Sequence, residues 1–260
     1  MVDLLIDAKK TTEETVSFIR NTVKKAGFNK VVIGLSGGVD SAASCTLAVK
    51  ALGVENVLGV ILPYGDFYKE AVSDAGILAK ELNLPSKNLI TVDIKPLVEN
   101  YLHSNPDMDK LRTGNFIVRT RMMIIYDLAK KYKALVLGTE NKTEFLLGYF
   151  TRFGDEASDI EPIRELYKTQ VWQLARYLEV PSNIIEKKPT AGMWLGQTDE
   201  GELGFSYKDA DRILFLHIDK KLSEKEIIEK GFKVEIVKKV INRVRENEFK
   251  HKLPYTQRKY

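Results

Sequence analysis

The stretch Gly34-Leu-Ser-Gly-Gly-Val-Asp-Ser41 combines closely spaced glycines with two hydroxyls and one carboxylate. Consecutive glycines let backbone N–H groups approach phosphate oxygens, and the serine hydroxyls supply further donors. Asp40 would repel a phosphate in direct contact, but it fits a divalent cation that lies between the carboxylate and the phosphates. A tight turn in which Asp40 only caps the next helix is the alternative. We favour a loop that binds a pyrophosphate together with its metal.

Other common signatures of chemistry do not occur in the sequence. It contains neither G-x-x-x-x-G-K-[ST] nor G-x-G-x-x-G, which argues against a Walker-type NTPase and a Rossmann oxidoreductase. The patterns H-E-x-x-H and C-x-x-C are absent too, which argues against a metalloprotease. The glycine-rich loop is therefore the main chemical signal.

The elements around this loop alternate between strand and helix. Short apolar, β-branched runs predict buried strands at 31–35, 56–62, 88–94 and 134–139. Helical patterns separate them, at 41–52, 68–82, 96–103 and 115–132. An earlier helix is predicted, with a capping box at Thr11-x-x-Glu14 and an end at Gly27. The alternation predicts an α/β fold with a doubly wound, mostly parallel sheet and helices on both faces.

Beyond residue 140 the pattern becomes mainly helical. Helices are predicted over 168–179, 206–217, 223–230 and 233–247, after a structured loop over 141–162. The glycine-rich segment 187–204 predicts a mobile loop, which we interpret as a candidate lid that keeps water from the site. No linker divides the chain, so we expect one domain over 1–260.

The composition is that of an ordinary globular protein. A net charge of +4 suits an anionic ligand or a nucleic acid, but the charge alone favours an ordinary solvated surface. Cys45 is the only cysteine, which excludes a disulfide within the chain and predicts a reducing, cytoplasmic location. Its position inside a helix predicts buried packing. No signal peptide and no apolar window of membrane-spanning length occurs, so no membrane association is expected.

The segment Ser-Gly-Gly-Val-Asp-Ser resembles the SGGxDS loop of the N-type ATP pyrophosphatases, which split ATP between its α and β phosphates. Within that superfamily, essentially the whole chain resembles the ammonia-dependent NAD synthetases. The matching segments occur in the family's order: GNFIVRTRM, LGTENKTE, LGYFTRFGDEASDIEPI, LYKTQVW, KKPTAGMWLGQTDEGELG and EFKHKLP. The resemblance implies the family's fold, an adenine nucleotide alpha hydrolase-like sheet with a helical C-terminal part.

The resemblance implies an ATP site at the loop and at three later positions. The residues are Gly34, Leu35, Ser36, Gly37, Gly38, Val39, Asp40, Ser41, Thr139, Lys168 and Thr190. It implies Asp40 and Glu144 as ligands of Mg²⁺, and Lys168 as a cation on the ATP phosphates. Taken alone, Glu144 would be a surface acid and Lys168 a surface lysine. Leu35 and residues 61–62 could enclose the adenine, although core packing explains them equally well.

The second substrate that the resemblance implies is deamido-NAD. Five residues outside the loop would contact it: Arg119, Arg152, Asp159, His251 and Lys252. Arg119 lies in a helix with apolar neighbours, where a charge needs a partner. Many relatives have lysine in place of Arg152, and a guanidinium differs from an ammonium in geometry. Taken alone, His251 carries no metal-binding signal.

The implied reaction is the ATP-dependent amidation of deamido-NAD to NAD, the last step of NAD biosynthesis. The nicotinate carboxylate takes AMP from ATP, pyrophosphate leaves, and ammonia then displaces AMP from the NAD-adenylate. Asp40 and Lys168 would stabilise the leaving pyrophosphate. Because the loop lies close to the start of the chain, no amidase domain with its own cysteine is expected, so free ammonia is the expected nitrogen source.

The resemblance further implies a homodimer without nucleic-acid or membrane partners. Two other functions stay open. An RNA-modifying member of the superfamily, such as a tRNA-lysidine synthetase, would need a large basic surface, against which the modest net charge argues. A nucleotide sensor without catalysis would not need both Asp40 and Glu144.

Overall fold

A parallel sheet lies at the centre of the protein. The computed structural model describes residues 2–65, 69–190, 192, 194, 196–252 and 257. Within these residues the sheet has the strand order β3-β2-β1-β4. The strands are Val31–Gly34 (β1), Val57–Ile61 (β2), Leu89–Thr91 (β3) and Leu135–Leu137 (β4). Each lies within a predicted strand, and the predicted parallel α/β arrangement is confirmed.

The strand order reverses between β1 and β4. Val31 of β1 lies opposite Val57 on one side and opposite Leu135 on the other. The chain therefore leaves the neighbouring strands β1 and β4 in different directions, which opens a crevice beyond their carboxyl ends. The glycine-rich loop follows β1 directly, so the topology places it at this crevice.

Helices make up most of the remaining structure. In chain order they are Ala8–Lys25 (α1), Val39–Leu52 (α2), Lys69–Glu81 (α3), Lys95–His103 (α4), Lys110–Tyr132 (α5), Lys142–Leu147 (α6), Lys168–Tyr177 (α7), Ser182–Ile185 (α8), Asp199–Leu203 (α9), Tyr207–Leu214 (α10), Glu224–Glu229 (α11) and Val234–Asn247 (α12). Helix α10 continues as a π-helical segment, Phe215–Asp219. Short 3₁₀ turns occupy Val54–Asn56, Ser86–Asn88 and Glu248–His251.

Both faces of the sheet are covered, as predicted. The side chains of Val31 and Ile33 join a buried cluster with α1, α2 and α7, whereas Val32 joins a cluster with α4 and α5. This alternation follows from the two-residue period of a strand. A third cluster, which includes Leu147 and Tyr207, joins α6, α10 and α12 in the predicted helical C-terminal part.

Three local predictions are wrong. Asp7, not Thr11, caps α1, because its carboxylate accepts a hydrogen bond from the N–H of Lys10. Helix α6 lies within the predicted loop 141–162 and is too short for hydrophobic periodicity to reveal it. Helix α9 occupies part of the predicted mobile loop 187–204, and its residues Asp199 and Leu203 are buried. Of that candidate lid, Ala191, Met193 and Leu195 lie outside the described residues.

The structure confirms the prediction that Cys45 is buried as part of the protein core. Its side chain is fully buried in α2, and burial raises the pKa of the thiol to about 12. A thiol with so high a pKa is not a nucleophile at neutral pH. Among the described residues, no helix is long and apolar enough to cross a membrane.

Candidate active site

The glycine-rich loop joins β1 to α2 in the predicted strand–loop–helix arrangement. Gly38 is the N-cap of α2 and forms no side-chain cap. Asp40 lies in the first turn of the helix instead, so the alternative in which it serves as the cap is wrong. The Oγ of Ser41 donates to the carbonyl of Gly38 at 3.0 Å and accepts from the N–H of Ser36 at 3.3 Å. The serines thus hold the loop closed on itself.

Gly37 occupies a position that no other residue fits. Its φ is +75°, in the left-handed region that favours glycine. A Cβ at this position would lie 2.8 Å from the carbonyl oxygen and 2.9 Å from the Cα of Ala71 in α3. Glycine is therefore required both for the turn of the loop and for the close approach of α3.

We expect Gly37→Ala to destabilise the protein more than the control Gly27→Ala. Gly27 also has a positive φ, +82°, but a Cβ there meets nothing within 4 Å. Positive φ should cost each variant about 1 kcal/mol. Only Gly37→Ala adds the clash with Ala71, about 1 kcal/mol more, and it should also reorient the loop amides that we predict to bind a phosphate. Denaturant unfolding measures the stability of each variant, and calorimetry measures its affinity for ATP. If both variants lose the same stability and Gly37→Ala keeps its affinity for ATP, Gly37 has no special role in the loop.

The ammonium of Lys168 joins the two predicted acidic residues. Its Nζ lies 2.5 Å from Oδ2 of Asp40 and 2.9 Å from Oε1 of Glu144. The lysine side chain is only 2% exposed, so the surface-lysine alternative is wrong. Glu144 is also largely covered, with 17% of its side chain exposed, so it is not a surface acid either. The fold thus brings the three residues together from α2, α6 and α7.

Asn141 explains how the two carboxylates come to face each other. Its Oδ1 accepts from the N–H of Glu144 at 3.0 Å and so caps α6. Its Nδ2 donates to Oδ1 of Asp40 at 2.9 Å. One buried amide therefore fixes both the start of α6 and the rotamer of Asp40.

The electrostatics of this group depend on its burial. Burial alone would lower the pKa of Lys168, but the carboxylates of Asp40 and Glu144 outweigh it and raise that pKa. Burial raises the pKa of Glu144, which the ammonium of Lys168 opposes. The lysine is therefore a permanent cation, and the group as a whole carries a net negative charge when both carboxylates are ionised.

A cavity of about 520 Å³ lies over the loop at the carboxyl ends of β1 and β4. Every residue predicted for the ATP and metal sites lines it: Gly34, Leu35, Ser36, Gly37, Gly38, Val39, Asp40, Ser41, Thr139, Glu144, Lys168 and Thr190. Leu35, Ile61 and Leu62 are buried in its wall. The cavity has the position expected for a ligand site in a doubly wound sheet.

The residues predicted to contact the dinucleotide do not line this cavity. Arg119 is exposed, and its guanidinium donates to the carbonyl of Arg152 at 3.1 and 3.2 Å. Arg152 in turn donates to the carbonyl of Lys252 at 2.5 Å. His251 packs against aromatic rings, and Oδ2 of Asp159 accepts from the N–H of Val136 at 2.7 Å. Three of the five are thus linked to one another outside the cavity.

Comparison with known proteins places the chain in a family. A family model described as NAD synthase matches residues 11–254. The chain belongs to the NAD synthase family. The chain is 41% identical to an NH(3)-dependent NAD(+) synthetase of Fusobacterium nucleatum, over 98% of this chain and 97% of that protein.

Solved structures show the same fold. The NH3-dependent NAD synthetase from Campylobacter jejuni, in complex with the nitrate ion, has a TM-score of 0.82 at 32% identity. The match covers 97% of this chain and 100% of that one. An NMN synthetase from Francisella tularensis has a TM-score of 0.85 at 33% identity, over 97% of this chain and 99% of that one. The NAD synthase fold thus extends over nearly the whole chain.

Several polar residues at this candidate site were not predicted. Asn141 carried a signal, since an Asn three residues before an acid suggests a helix cap. Asp199 is buried, and its carboxylate accepts from the hydroxyls of Tyr149 at 3.2 Å and Tyr207 at 2.8 Å. Lys187 also lines the cavity and pairs with Asp74 at 2.8 Å. No local pattern marks these last residues, because their burial depends on packing between distant segments.

Proposed function

We propose that this member of the NAD synthase family converts deamido-NAD to NAD with ATP and ammonia, and releases AMP and pyrophosphate. The observation that carries the proposal is the meeting of Asp40, Glu144 and Lys168 in the cavity above the glycine-rich loop. A loop that binds phosphates together with paired carboxylates suits cleavage of ATP with a metal-bound leaving group. The family relationship supplies the substrate and the nitrogen source.

The two carboxylates suit Mg²⁺, which is part of the proposal. Mg²⁺ favours one or two carboxylates together with substrate phosphates and retained waters. Asp40 and Glu144 converge on a single ammonium, so their oxygens lie close together beside the phosphate loop. We therefore assign Mg²⁺ to these two residues, where it would neutralise charge on the pyrophosphate.

The remaining residues of the chain bind and orient the reactants. The loop amides and the hydroxyl of Ser36 bind phosphate oxygens, the hydroxyl of Ser41 holds the loop in shape, and Lys168 keeps a positive charge beside the carboxylates. Leu35, with the neighbouring wall, encloses the adenine. This arrangement supplies positioning and charge stabilisation rather than a protein nucleophile. Cys45 is buried and stays protonated at neutral pH, which agrees with a reaction that needs no protein nucleophile.

We propose that the dinucleotide site lies outside the cavity, at the linked residues Arg119, Arg152 and Lys252. The other two predicted contacts, Asp159 and His251, belong to the same proposed site. The guanidinium and ammonium groups of the linked residues suit the phosphates of deamido-NAD. We further propose that the chain is a single domain that forms a homodimer in the cytoplasm. The free thiol of Cys45 suits that reducing compartment.

A turnover assay tests the proposal. The protein is incubated with ATP, Mg²⁺ and deamido-NAD, and either ammonium or glutamine, while AMP, pyrophosphate and NAD are measured. We expect all three products with ammonium and little product with glutamine. Nicotinic acid mononucleotide replaces deamido-NAD in a parallel reaction, because a structural relative is an NMN synthetase. Preferential turnover of the mononucleotide would reassign the substrate.

Two further reactions separate the other functions. RNA in place of deamido-NAD should not stimulate pyrophosphate release, whereas a tRNA-modifying enzyme would respond to it. ATP binding without AMP formation, under any of these conditions, would indicate a nucleotide sensor.

A further inference from the structure

Helix α10 and its π-helical extension present two carboxylates to the starts of α6 and α7. Asp211 lies within α10 and is fully buried, 0% exposed. Asp219 is the last residue of the π-helical segment, and its side chain is 31% exposed. Neither residue lines the cavity. Both nevertheless contact the segments that carry Glu144 and Lys168.

Asp211 bonds to both helices. Its Oδ1 accepts from the hydroxyl of Thr143 at 2.6 Å. Its Oδ2 accepts from the N–H of Thr169 at 2.8 Å and from the Thr169 hydroxyl at 2.6 Å. The Thr143 hydroxyl also accepts from the N–H of Lys168 at 2.9 Å. One buried carboxylate therefore ties the residue before Glu144 to Lys168 and to the residue after it.

Asp219 makes a similar pair of contacts, one residue earlier on α6 and at the residue that precedes Lys168. Its carboxylate accepts from Nζ of Lys142 at 2.9 and 3.0 Å. It also accepts from the hydroxyl of Tyr167 at 2.8 Å. Each carboxylate thus joins one residue at the start of α6 to one residue that flanks Lys168.

The π-helical segment explains how two residues eight positions apart serve one surface. In an uninterrupted α-helix, with 3.6 residues per turn, Asp211 and Asp219 would point roughly 80° apart. The wider turn of the segment Phe215–Asp219 reduces the rotation per residue and brings the two toward a common face. Such π-helical insertions occur frequently at functional sites.

The geometry points to Asp211 and Asp219 as positioning residues that clamp α6 to α7, so that Glu144, Asp40 and Lys168 keep their mutual distances. Helix α6 spans only Lys142–Leu147 and has too few internal hydrogen bonds to be stable without such contacts. A displacement of the reacting geometry by about 1 Å can cost on the order of 100-fold in rate. The inference rests on the proposed function for its catalytic consequence.

Thr143→Val tests the clamp, because it removes the hydroxyl while it keeps the volume of the side chain. Replacing Asp211 itself would endanger folding. We expect kcat for ammonia-dependent turnover to fall at least about tenfold, with less than about a twofold change in the KM for ATP. Thr143→Ser keeps the hydroxyl and should recover kcat to within about threefold of the wild type.

The matched control is Thr46→Val. Thr46 is also a buried helical threonine, and its hydroxyl donates to the carbonyl of Ala42 at 2.8 Å, away from the clamp. Its kcat should stay within about twofold of the wild type. If Thr143→Val lowers kcat no more than Thr46→Val does, the positioning role is refuted.

A second measurement does not depend on substrate identity. An amine-reactive reagent is applied to each protein, and labelling of the peptide that contains Lys168 is followed by mass spectrometry. We expect Thr143→Val to raise labelling of Lys168 at least about fivefold, with Thr46→Val and the other lysines unchanged. Unchanged protection of Lys168 refutes the clamp. An inactive wild type would refute the proposed function alone, because the labelling comparison would still decide the clamp.

Discussion

Lys168→Met should reduce turnover by more than about 1,000-fold, because it removes the cation that lies between the two carboxylates of the proposed active site. It should also lower the free energy of unfolding by about 3 kcal/mol, since Asp40 and Glu144 would remain close together and uncompensated in a largely buried site. Steady-state kinetics and denaturant unfolding measure the two effects. No other single substitution in the site is expected to affect both so strongly.

The stability loss of Lys168→Met should depend on pH. Burial holds the pKa of Glu144 above the value it has in the unfolded chain, so the folded variant binds an additional proton as the pH falls. A group of this kind contributes stability below its unfolded pKa and loses that contribution as the pH rises through its folded pKa. The stability that Lys168→Met loses relative to the wild type should therefore be smaller near pH 5 than near pH 8.

The control for this variant is Lys87→Met. Lys87 pairs with Glu55 at 2.8 Å, but both side chains are more than half exposed, at 72% and 62%. An exposed pair of this kind contributes less than about 1 kcal/mol, and its loss should not affect turnover. Equal destabilisation by the two substitutions would contradict a special role for the buried ammonium.

Asp40→Asn should reduce turnover by about 100-fold or more, with a higher Mg²⁺ concentration needed for half-maximal rate. The amide has the same shape as the carboxylate but lacks the charge that a metal requires. The protein should stay folded, because Glu144 still pairs with Lys168 at 2.9 Å. The Mg²⁺ dependence of pyrophosphate release, and binding of Mn²⁺ to the protein with a non-cleavable ATP analogue, measure the change.

Asp107→Asn is the control for this second substitution. Asp107 also pairs with a cation, Arg112 at 2.9 Å, but on an exposed surface outside the cavity. Its turnover and Mg²⁺ dependence should equal those of the wild type. Wild-type Mg²⁺ dependence in Asp40→Asn itself would remove Asp40 from the metal site.

Local patterns predicted the secondary structure well wherever a segment was long or bounded by clear signals. The strands were found because short β-branched runs lie between glycines and polar turns, as at 31–35. Helix α5 was found because its apolar face repeats over many turns, although it begins five residues earlier than predicted, at Lys110. The helices that were missed, α6, α8 and α9, have six, four and five residues, too few to show a period.

In the candidate site, too, the local sequence predicted some features and not others. The strand, the glycines and Asp40 are adjacent in the chain, so covalent geometry alone places the phosphate loop at the start of a helix. Because the loop directly follows a strand of a predicted parallel sheet, it must lie at the carboxyl edge of that sheet. These features needed no knowledge of distant contacts.

Lys168 shows what the chain could not reveal locally. It is separated from Asp40 by 128 positions, and nothing in its neighbourhood distinguishes it from an ordinary surface lysine. Its burial, and hence its fixed charge and its two partners, exist only because α7 packs against α2 and because α10 holds α6 beside it. The glycine-rich loop is a local property of the sequence, whereas the charge balance of the candidate site is created by packing, because electrostatic interactions depend on distance and solvent exclusion in the folded protein.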